Sequence, residues 1–524
     1  MAQDISGTSL LSNSQAATAT PCFRARFDWD EAGFGSLGSW TNETTRVQRM
    51  SGEMRAVGWK RSIGALGGGV ANSCTVVLDN EECTTPYSGF RFSPTNASGP
   101  LYSKIGGGKL RMMRAYIEMG YEQAGSPQYV PVMAGYIVEP EENYRARTVQ
   151  FSIRDRAAAA ILSRDSTALY EDVSARSYME TLAALLDRDP PGPGERDVDL
   201  GTVLHPFAWL DDEPIWDEMR DLALANGGRV WYDNGGTLHF ETLGHLVRPQ
   251  TNSWEDPTVS QYTFTTNRFQ ECNPRYDPED VSNHVIVESV PLYVSTLQMV
   301  YSAGEVYIVP PSDSLTVEAR HRWPVRSVVT PVQGTDFVAL TAGGTDISGD
   351  VTVTPSTNAA RSTLTISNSN SSYTAYMYVL QLRGYPLLAE QAVRVEVEDA
   401  TSIAQYGRRT ERIRSSYIRS RAQAEAIAGF RLARYKDPPL TLTLAGAPAA
   451  PWLEAGDRVT VVESLTGISD DFFIAVIRWE YDGGIEQTLD LVRAEDLYPY
   501  TNYFQMGTTK FGGSGTSGSG RLLW

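Results

Sequence analysis

Hydrophobic and polar positions fall into short strand-like runs through much of this chain, and a helical period appears in only a few stretches. From 22 to 156, short runs such as Cys74-Thr75-Val76-Val77-Leu78 and Thr148-Val149-Gln150-Phe151-Ser152-Ile153 are rich in β-branched and aromatic residues. Gly67-Gly68-Gly69, Ser98-Gly99-Pro100 and Gly106-Gly107-Gly108 punctuate them. Short strands between such turn signals predict a β-barrel or sandwich. The period then changes. An Ala-rich stretch covers Asp155 to Leu162, and Ser177-Tyr178-Met179-Glu180 fits a capping box that would start a helix burying Tyr178, Leu182, Leu185 and Leu186. Asp189-Pro190-Pro191-Gly192-Pro193-Gly194 stops that helix. A second helix is expected after Asp212-Glu213-Pro214, burying Ile215, Met219, Leu222 and Ala223 and ending at Asn226-Gly227-Gly228. Arg229-Val230-Trp231-Tyr232 and Thr237-Leu238-His239-Phe240 flank Asp233-Asn234-Gly235-Gly236, which predicts a hairpin.

Beyond 251 the pattern is β again. The stretch from Thr316 to Gly384 is dense in Ser, Thr, Val and Gly, and predicts a small sandwich inserted in a larger domain. Ser420-Arg421-Ala422-Gln423 fits another capping box, and Ala422, Ala426, Phe430 and Ala433 would form the buried face of a third helix. Four strand candidates follow: 440–444, 458–462, 472–481 and 487–492. The expected fold class is therefore multidomain and mainly β, with an α+β insertion. The expected parts are a flexible arm (1–21), a first β-barrel (22–156), a small α+β domain (157–250) and a β connecting region (251–309). An inserted β-sandwich (310–386), a second β-barrel with its helix (387–500) and a Gly/Ser-rich tail (501–524) complete the chain.

Composition narrows the function classes. At 524 residues the chain is long enough for three to five domains. A net charge of -18 argues against wrapping nucleic acid, which requires clustered Lys and Arg against phosphate. Residues 1–20 lack the basic start and apolar stretch of a secretory signal. The four cysteines form no C-x-x-C pair and the five histidines are scattered, so no disulfide framework, metal site or cofactor site is expected. Gly33-Phe34-Gly35-Ser36-Leu37-Gly38 matches G-x-G-x-x-G, but Phe27-Asp28-Trp29-Asp30-Glu31 before it and Trp40-Thr41-Asn42 after it do not supply the strand and helix of a dinucleotide site. Three acidic clusters (Asp28, Asp30, Glu31; Glu139, Glu141, Glu142; Asp211, Asp212, Glu213) invite comparison with paired glycosidase carboxylates. A helix start explains the third and a solvated loop the second. No catalytic residue is assigned.

The C-terminal block carries a more specific signal. Its order is Ser402-Ile403-Ala404-Gln405-Tyr406-Gly407, a helix, Pro439-Leu440-Thr441-Leu442-Thr443-Leu444, then Leu453-Glu454-Ala455-Gly456-Asp457-Arg458-Val459. Phe473-Ile474-Ala475-Val476-Ile477 and Gln487-Thr488-Leu489-Asp490-Leu491 close it. This series resembles the baseplate-hub and tail-tip hub family of tailed bacteriophages, with its "S-I-x-x-Y-G" segment, helix, strand and "G-D-x-V" turn. The helix–helix–hairpin unit, Tyr178 to Phe240, resembles the inserted domain of those hubs.

The resemblance implies two hub-type barrels per chain and a homotrimer at the virion tail tip. Its implied partners are the distal tail protein, tail tube, tape-measure protein and a central fibre or spike. Genomic DNA would pass through the ring without stable binding. Arg408, Arg409, Arg412, Arg414, Arg419 and Arg421 are the candidate subunit-interface residues, since arginine suits interface ion pairs. Leu522, Leu523 and Trp524 are candidates for docking on a partner. The alternatives are a tail-associated cell-wall or capsule hydrolase and a carbohydrate-binding adhesin.

Overall fold

The computed structural model describes residues 3–5, 8–15, 20–55, 71–81, 89–102, 112–201, 203–242, 256–276 and 278–494. The glycine runs at 67–69 and 106–108 and the docking candidates Leu522, Leu523 and Trp524 lie outside them. Six helices are described: α1 Leu10–Gln15, α2 Ala157–Leu162, α3 Ala175–Ala184, α4 Ile215–Ala225, α5 Ala400–Tyr406 and α6 Arg421–Tyr435.

The alternating runs of the first block form antiparallel strands. Their order is Val47–Arg55, Ser73–Asp79, Thr148–Asp155, Ser126–Asn143, Met113–Gln123, Thr20–Asp28. Phe27, Val76, Leu78, Phe151 and Ile153 point inward and are buried. A second barrel-like set runs Tyr262–Thr265, Arg458–Glu463, Ile468–Tyr481, Ile485–Arg493, Leu440–Pro448, Glu271–Tyr276. All its pairings are antiparallel except the first. The two sets are not separate bodies. Val47–Arg55 pairs with Ile468–Tyr481 from Met50↔Tyr481 to Arg55↔Val476, so both lie in one 13-stranded sheet and share one apolar core.

That seam contains a close approach. Gly52 lies opposite Trp479, and a Cβ at Gly52 would fall 2.3 Å from the indole ring. Gly52→Val is expected to cost about 1–3 kcal/mol through overpacking, read as a lower urea midpoint. Trp479→Ala in the same chain should recover part of that loss.

The middle domain is larger than the expected 157–250 unit. Its first half holds α2, α3, α4 and a three-stranded sheet, in which Arg229–Tyr232 and Leu238–Glu241 form the expected hairpin and Arg196–Val198 adds a parallel edge. Its second half is the sheet Val393–Glu398, His284–Ser289, Thr410–Arg414, covered by α6. Both halves share one core, in which Tyr178, Met179, Leu222 and Val230 meet Val285, Val287, Ile413 and Ile427. Three expectations are corrected here. Helix α6 and residues 393–435 belong to this domain and not to the second barrel. The buried positions of α6 are Gln423, Ala424, Ile427, Ala428, Phe430, Arg431, Arg434 and Tyr435, whereas Ala422, Ala426 and Ala433 face solvent. Helix α3 is capped by Ser174, whose side chain accepts from Ser177 N; Ser177 is already inside the helix. The cap on α6 is Ser420, accepting from Gln423 N.

The inserted sandwich also starts earlier than expected. The long strand Ala375–Ala389 pairs with Leu292–Val294, Gln298–Ser302 and Tyr307–Val309, and with Val325–Val328 and Phe337–Leu340. A second sheet of Ser314–Arg320, Arg361–Asn368 and Val351–Thr357 packs against it around a core of its own. The region 251–309 is thus no connector. Its strands 262–276 complete the second barrel, 284–289 belongs to the middle domain, and 292–309 belongs to the sandwich.

Candidate functional site: the junction of the barrels and the middle domain

The motifs that carried the sequence resemblance converge on the places where domains meet. In Leu453-Glu454-Ala455-Gly456-Asp457, Asp457 Oδ2 accepts from Glu454 N (2.7 Å), and Gly456 N donates to Ile474 O (2.7 Å). Gly456 has φ 107°, and a Cβ there would lie 2.6 Å from the Arg229 guanidinium of the middle-domain hairpin. Only glycine allows that approach without strain. Glu454 Oε1 accepts from the hairpin amide of Asn234 (3.2 Å). Burial pushes the Glu454 carboxyl up to about 7 and raises that of Asp457 too.

The hairpin side of the junction is a stack. The Arg229 guanidinium lies 4.2 Å from the Trp231 ring centre, and Trp231 stacks on His239 at 5.0 Å. Arg229 Nε donates to Glu241 (2.7 Å). His239 lies 3.2 Å from Asp233 and 3.3 Å from Asp197. Burial pulls the imidazole down, but the hydrogen bonds and charge of those carboxylates outweigh it and hold His239 at about 9. It is therefore charged near neutral pH.

The expected flexible arm takes part here, which corrects the reading of 1–21. Gln3 N donates to Trp452 O (2.9 Å) in the second barrel, and Gln3 Nε2 donates to Pro131 O (2.6 Å) in the first. Leu10 of α1 is fully buried in the shared core. Small polar residues gave no periodic signal for this staple, because its contacts are with backbone groups far away in sequence.

A second lock joins the first barrel to the loop after α3. Arg114 donates through Nη1 to Asp28 (2.7 Å) and through Nε and Nη2 to both oxygens of Asp189 (2.7 and 2.6 Å). Tyr136 OH also donates to Asp189 (2.8 Å). Although burial works against it, these donors hold the Asp189 carboxyl below its ordinary value. Arg156 donates to Gly236 O (2.8 Å) and Asp189 O (2.9 Å), and its guanidinium lies 4.7 Å from the Phe34 ring. This places the G-x-G-x-x-G stretch. Asp28 accepts from Ala32 N and Gly33 N, and residues Phe34–Ser39 form a short 3₁₀ turn whose Phe34 caps the lock.

The other candidates either hold structural partners or lie exposed. Asp211 pairs with Arg361 (2.8 Å), and Glu139, Glu141 and Glu142 lie exposed along a strand. His205 meets Asn226, His284 meets Glu396 and Thr410, and His321 meets Ser362; His245 is outside the described residues. Among the described residues, no three His, Cys, Asp or Glu gather where a metal could sit.

The six arginines divide. Arg408 pairs with Glu398 (2.8 Å), Arg414 with Glu288, and Arg421 with Glu425 (2.7 Å). Arg419 donates to Val290 O (2.9 Å). Arg409 and Arg412 are exposed, Arg412 on the outward face of the middle-domain sheet. Strand alternation brings Arg412 and Arg414 together on that face; Arg419, just before α6, lines one cavity with Arg414, and Arg421 is the first residue of α6. Sequence reading missed Arg114, Arg156, His239 and Gln3 as junction residues. The one local sign was a charged residue, Arg114, inside an apolar strand.

The architecture at this point is a mainly β, multidomain chain with two barrels on one sheet and an α/β domain locked across them. No protein-family model matches the chain, and no curated protein matches it in sequence. Among solved structures, it is similar to a tail protein from Neisseria meningitidis MC58, at 12% identity over 92% of this chain and 99% of that one, with a TM-score of 0.47. It is also similar to the 43 kDa tail protein of prophage MuSo2 from Shewanella oneidensis, at 10% identity over 91% and 99%, with a TM-score of 0.46. An E. coli type VI secretion component, described as similar in structure to the T4 bacteriophage tail proteins gp27 and gp5, is similar at 9% identity over 86% and 75%, with a TM-score of 0.37.

Proposed function

We propose that this chain is a structural hub protein of a phage tail tip, with no catalytic role. The observation that carries the reading is the fusion of two barrels through the Val47–Arg55 and Ile468–Tyr481 pairing. Two barrels held rigidly side by side are one third of a six-membered ring. Three copies then match a six-fold tail tube on one side and present three-fold symmetry to a fibre or spike on the other. A closed ring also satisfies exposed strand edges and repeats one interface by symmetry. The hub motifs at 402–407 and 453–459 support this reading through their place in the fold. Asn283 donates to Ser402 Oγ (3.1 Å) and Gly407 O (2.8 Å), and Gly456 seats Arg229, so both are joints. In this reading Arg409 and Arg412 face a neighbouring subunit, and the ring opens for DNA to pass its acidic wall, which repels phosphate.

Mass photometry with negative-stain electron microscopy tests the proposal. The expected result is a three-lobed ring at three times the 57.7 kDa chain mass. A monomer that stays monomeric when mixed with its tail partners would sink it.

One observation favours a second reading, a carbohydrate-binding adhesin. The outward face of the strand Ala375–Ala389 exposes Tyr378 and Tyr385, with Ile308 and Met299 on neighbouring strands. Aromatic faces of this kind suit stacking on sugar rings as well as protein contact. Deleting 292–389 is expected, on that reading alone, to abolish host binding while particles still assemble.

A further inference from the structure

We propose that the inserted sandwich is a separable arm, which swings on a two-stranded stalk and is clasped to the middle domain by charge. The inference does not rest on the hub reading. The chain leaves the middle domain at Ser289 and returns at Val393, the ends of two paired strands. Between them, Leu292 and Val294 pair with Ala389 and Leu387, and Glu390 N donates to Pro291 O (2.9 Å). Two adjacent strands thus form the whole covalent connection. The sandwich core is separate from the core of the middle domain.

What holds the two together is polar. Ala359 N donates to Thr167 O (2.9 Å). Ion pairs add to it, joining a basic rim of the sandwich to an acidic edge of the middle domain. Arg361 meets Asp211 (2.8 Å) and Asp212 (3.8 Å), Arg320 meets Asp211 (3.4 Å), and Arg326 meets Glu171 (2.7 Å). Arg320 is 76% and Arg326 54% exposed, so solvent and salt reach their pairs fully, whereas Arg361 and Asp211 are 23% and 21% exposed and their pair is screened less. Exposed ion pairs contribute little each and are screened within a few ångströms at high salt. A polar interface without a shared apolar core leaves domains free to move. Beside the stalk lies an open cavity of about 610 Å³, lined by Trp209, Val290, Leu292, Pro324 and Leu387 among others. It provides space beside the stalk into which the arm tilts.

The test is small-angle scattering of the full chain at low salt and at about 1 M sodium chloride, where the screening length falls to about 3 Å. The maximum dimension is expected to grow with salt, and to be already large at low salt in Arg326→Glu/Arg361→Glu. A disulfide in Thr167→Cys/Ala359→Cys should abolish the growth in both backgrounds. A curve unchanged by salt and by the charge reversals would overturn the proposal. So would a charge-reversed chain that the disulfide fails to return to the compact form, since its expansion would then be misfolding.

Discussion

Arg114→Met is expected to destabilise the protein by about 3–5 kcal/mol, the usual cost of stranding buried charges by removing their partner. Arg114 is 7% exposed and Asp28 is 2% exposed. Methionine keeps most of the volume but leaves Asp28 and Asp189 facing each other without the guanidinium between them. Asp28 still accepts from Ala32 N and Gly33 N, and Asp189 from Tyr136, so neither can turn out to solvent without losing those bonds. Chemical unfolding monitored by tryptophan fluorescence measures the loss. The pH dependence gives a second readout. In the wild type, the Asp189 carboxyl is held below its ordinary value. It therefore contributes stability above the unfolded value near 4, and that contribution is lost as pH falls through the lower folded value. In Arg114→Met the cation is gone, so acidification should narrow the gap between variant and wild type. Asp189→Asn added to Arg114→Met should recover part of the loss at neutral pH. An Arg114→Met chain as stable as wild type would show that the lock contributes nothing.

Glu218→Gln is expected to stabilise the protein at pH 8 by about 3 kcal/mol and to change little at pH 4. Glu218 lies on α4 between the two halves of the middle domain, where it accepts from the Tyr417 and Tyr178 hydroxyls. Burial is the main cause that pushes its carboxyl up to about 7, and Asp221 and Glu213 add repulsion. The sign follows from proton counting. Between about 4.5 and 7 the folded state holds the proton and the unfolded state has released it, so stability falls as pH rises through that window. Glutamine cannot ionise, keeps an acceptor for Tyr417, and removes the penalty. A shift from 4.5 to about 7 corresponds to about 3 kcal/mol at 1.36 kcal/mol per tenfold change. Asp155 and Glu454 are also raised to about 7 by burial, and both remain in the variant. The measurement is therefore the difference between variant and wild type at pH 4 and 8. Equal differences at both values would show that folding does not raise the Glu218 carboxyl.

Local pattern made much of the fold legible. Tyr232, a four-residue turn and Thr237 identify the hairpin because turn geometry is set by neighbours, and Ile215, Met219, Leu222 and Ala223 mark α4 because its buried face recurs every turn. The same reasoning failed on α6. Ala422, Ala426 and Ala433 share a helical face as well as Ile427, Ala428 and Tyr435 do, and small apolar residues do not reveal which face is covered. The junction was only partly visible. The Gly456-Asp457 turn was found by its motif, while Gln3, Arg114 and His239 looked like ordinary arm, strand and hairpin residues.

The sequence by itself determined the element types, the mainly β class, the inserted sandwich and the motif order of the C-terminal block, because each depends on spacing within a short window. Only the tertiary structure decided which domain each segment serves. Strand His284–Ser289 pairs with strands beginning at Val393 and Thr410, across an insertion of about one hundred residues, and Tyr262–Thr265 finds its partner at Arg458–Glu463. Alternation says that one face of a strand must be buried; it does not say against what. That choice is made by complementary cores and by buried ionisable groups such as Arg114 and Glu218, whose partners lie 40 to 199 residues away.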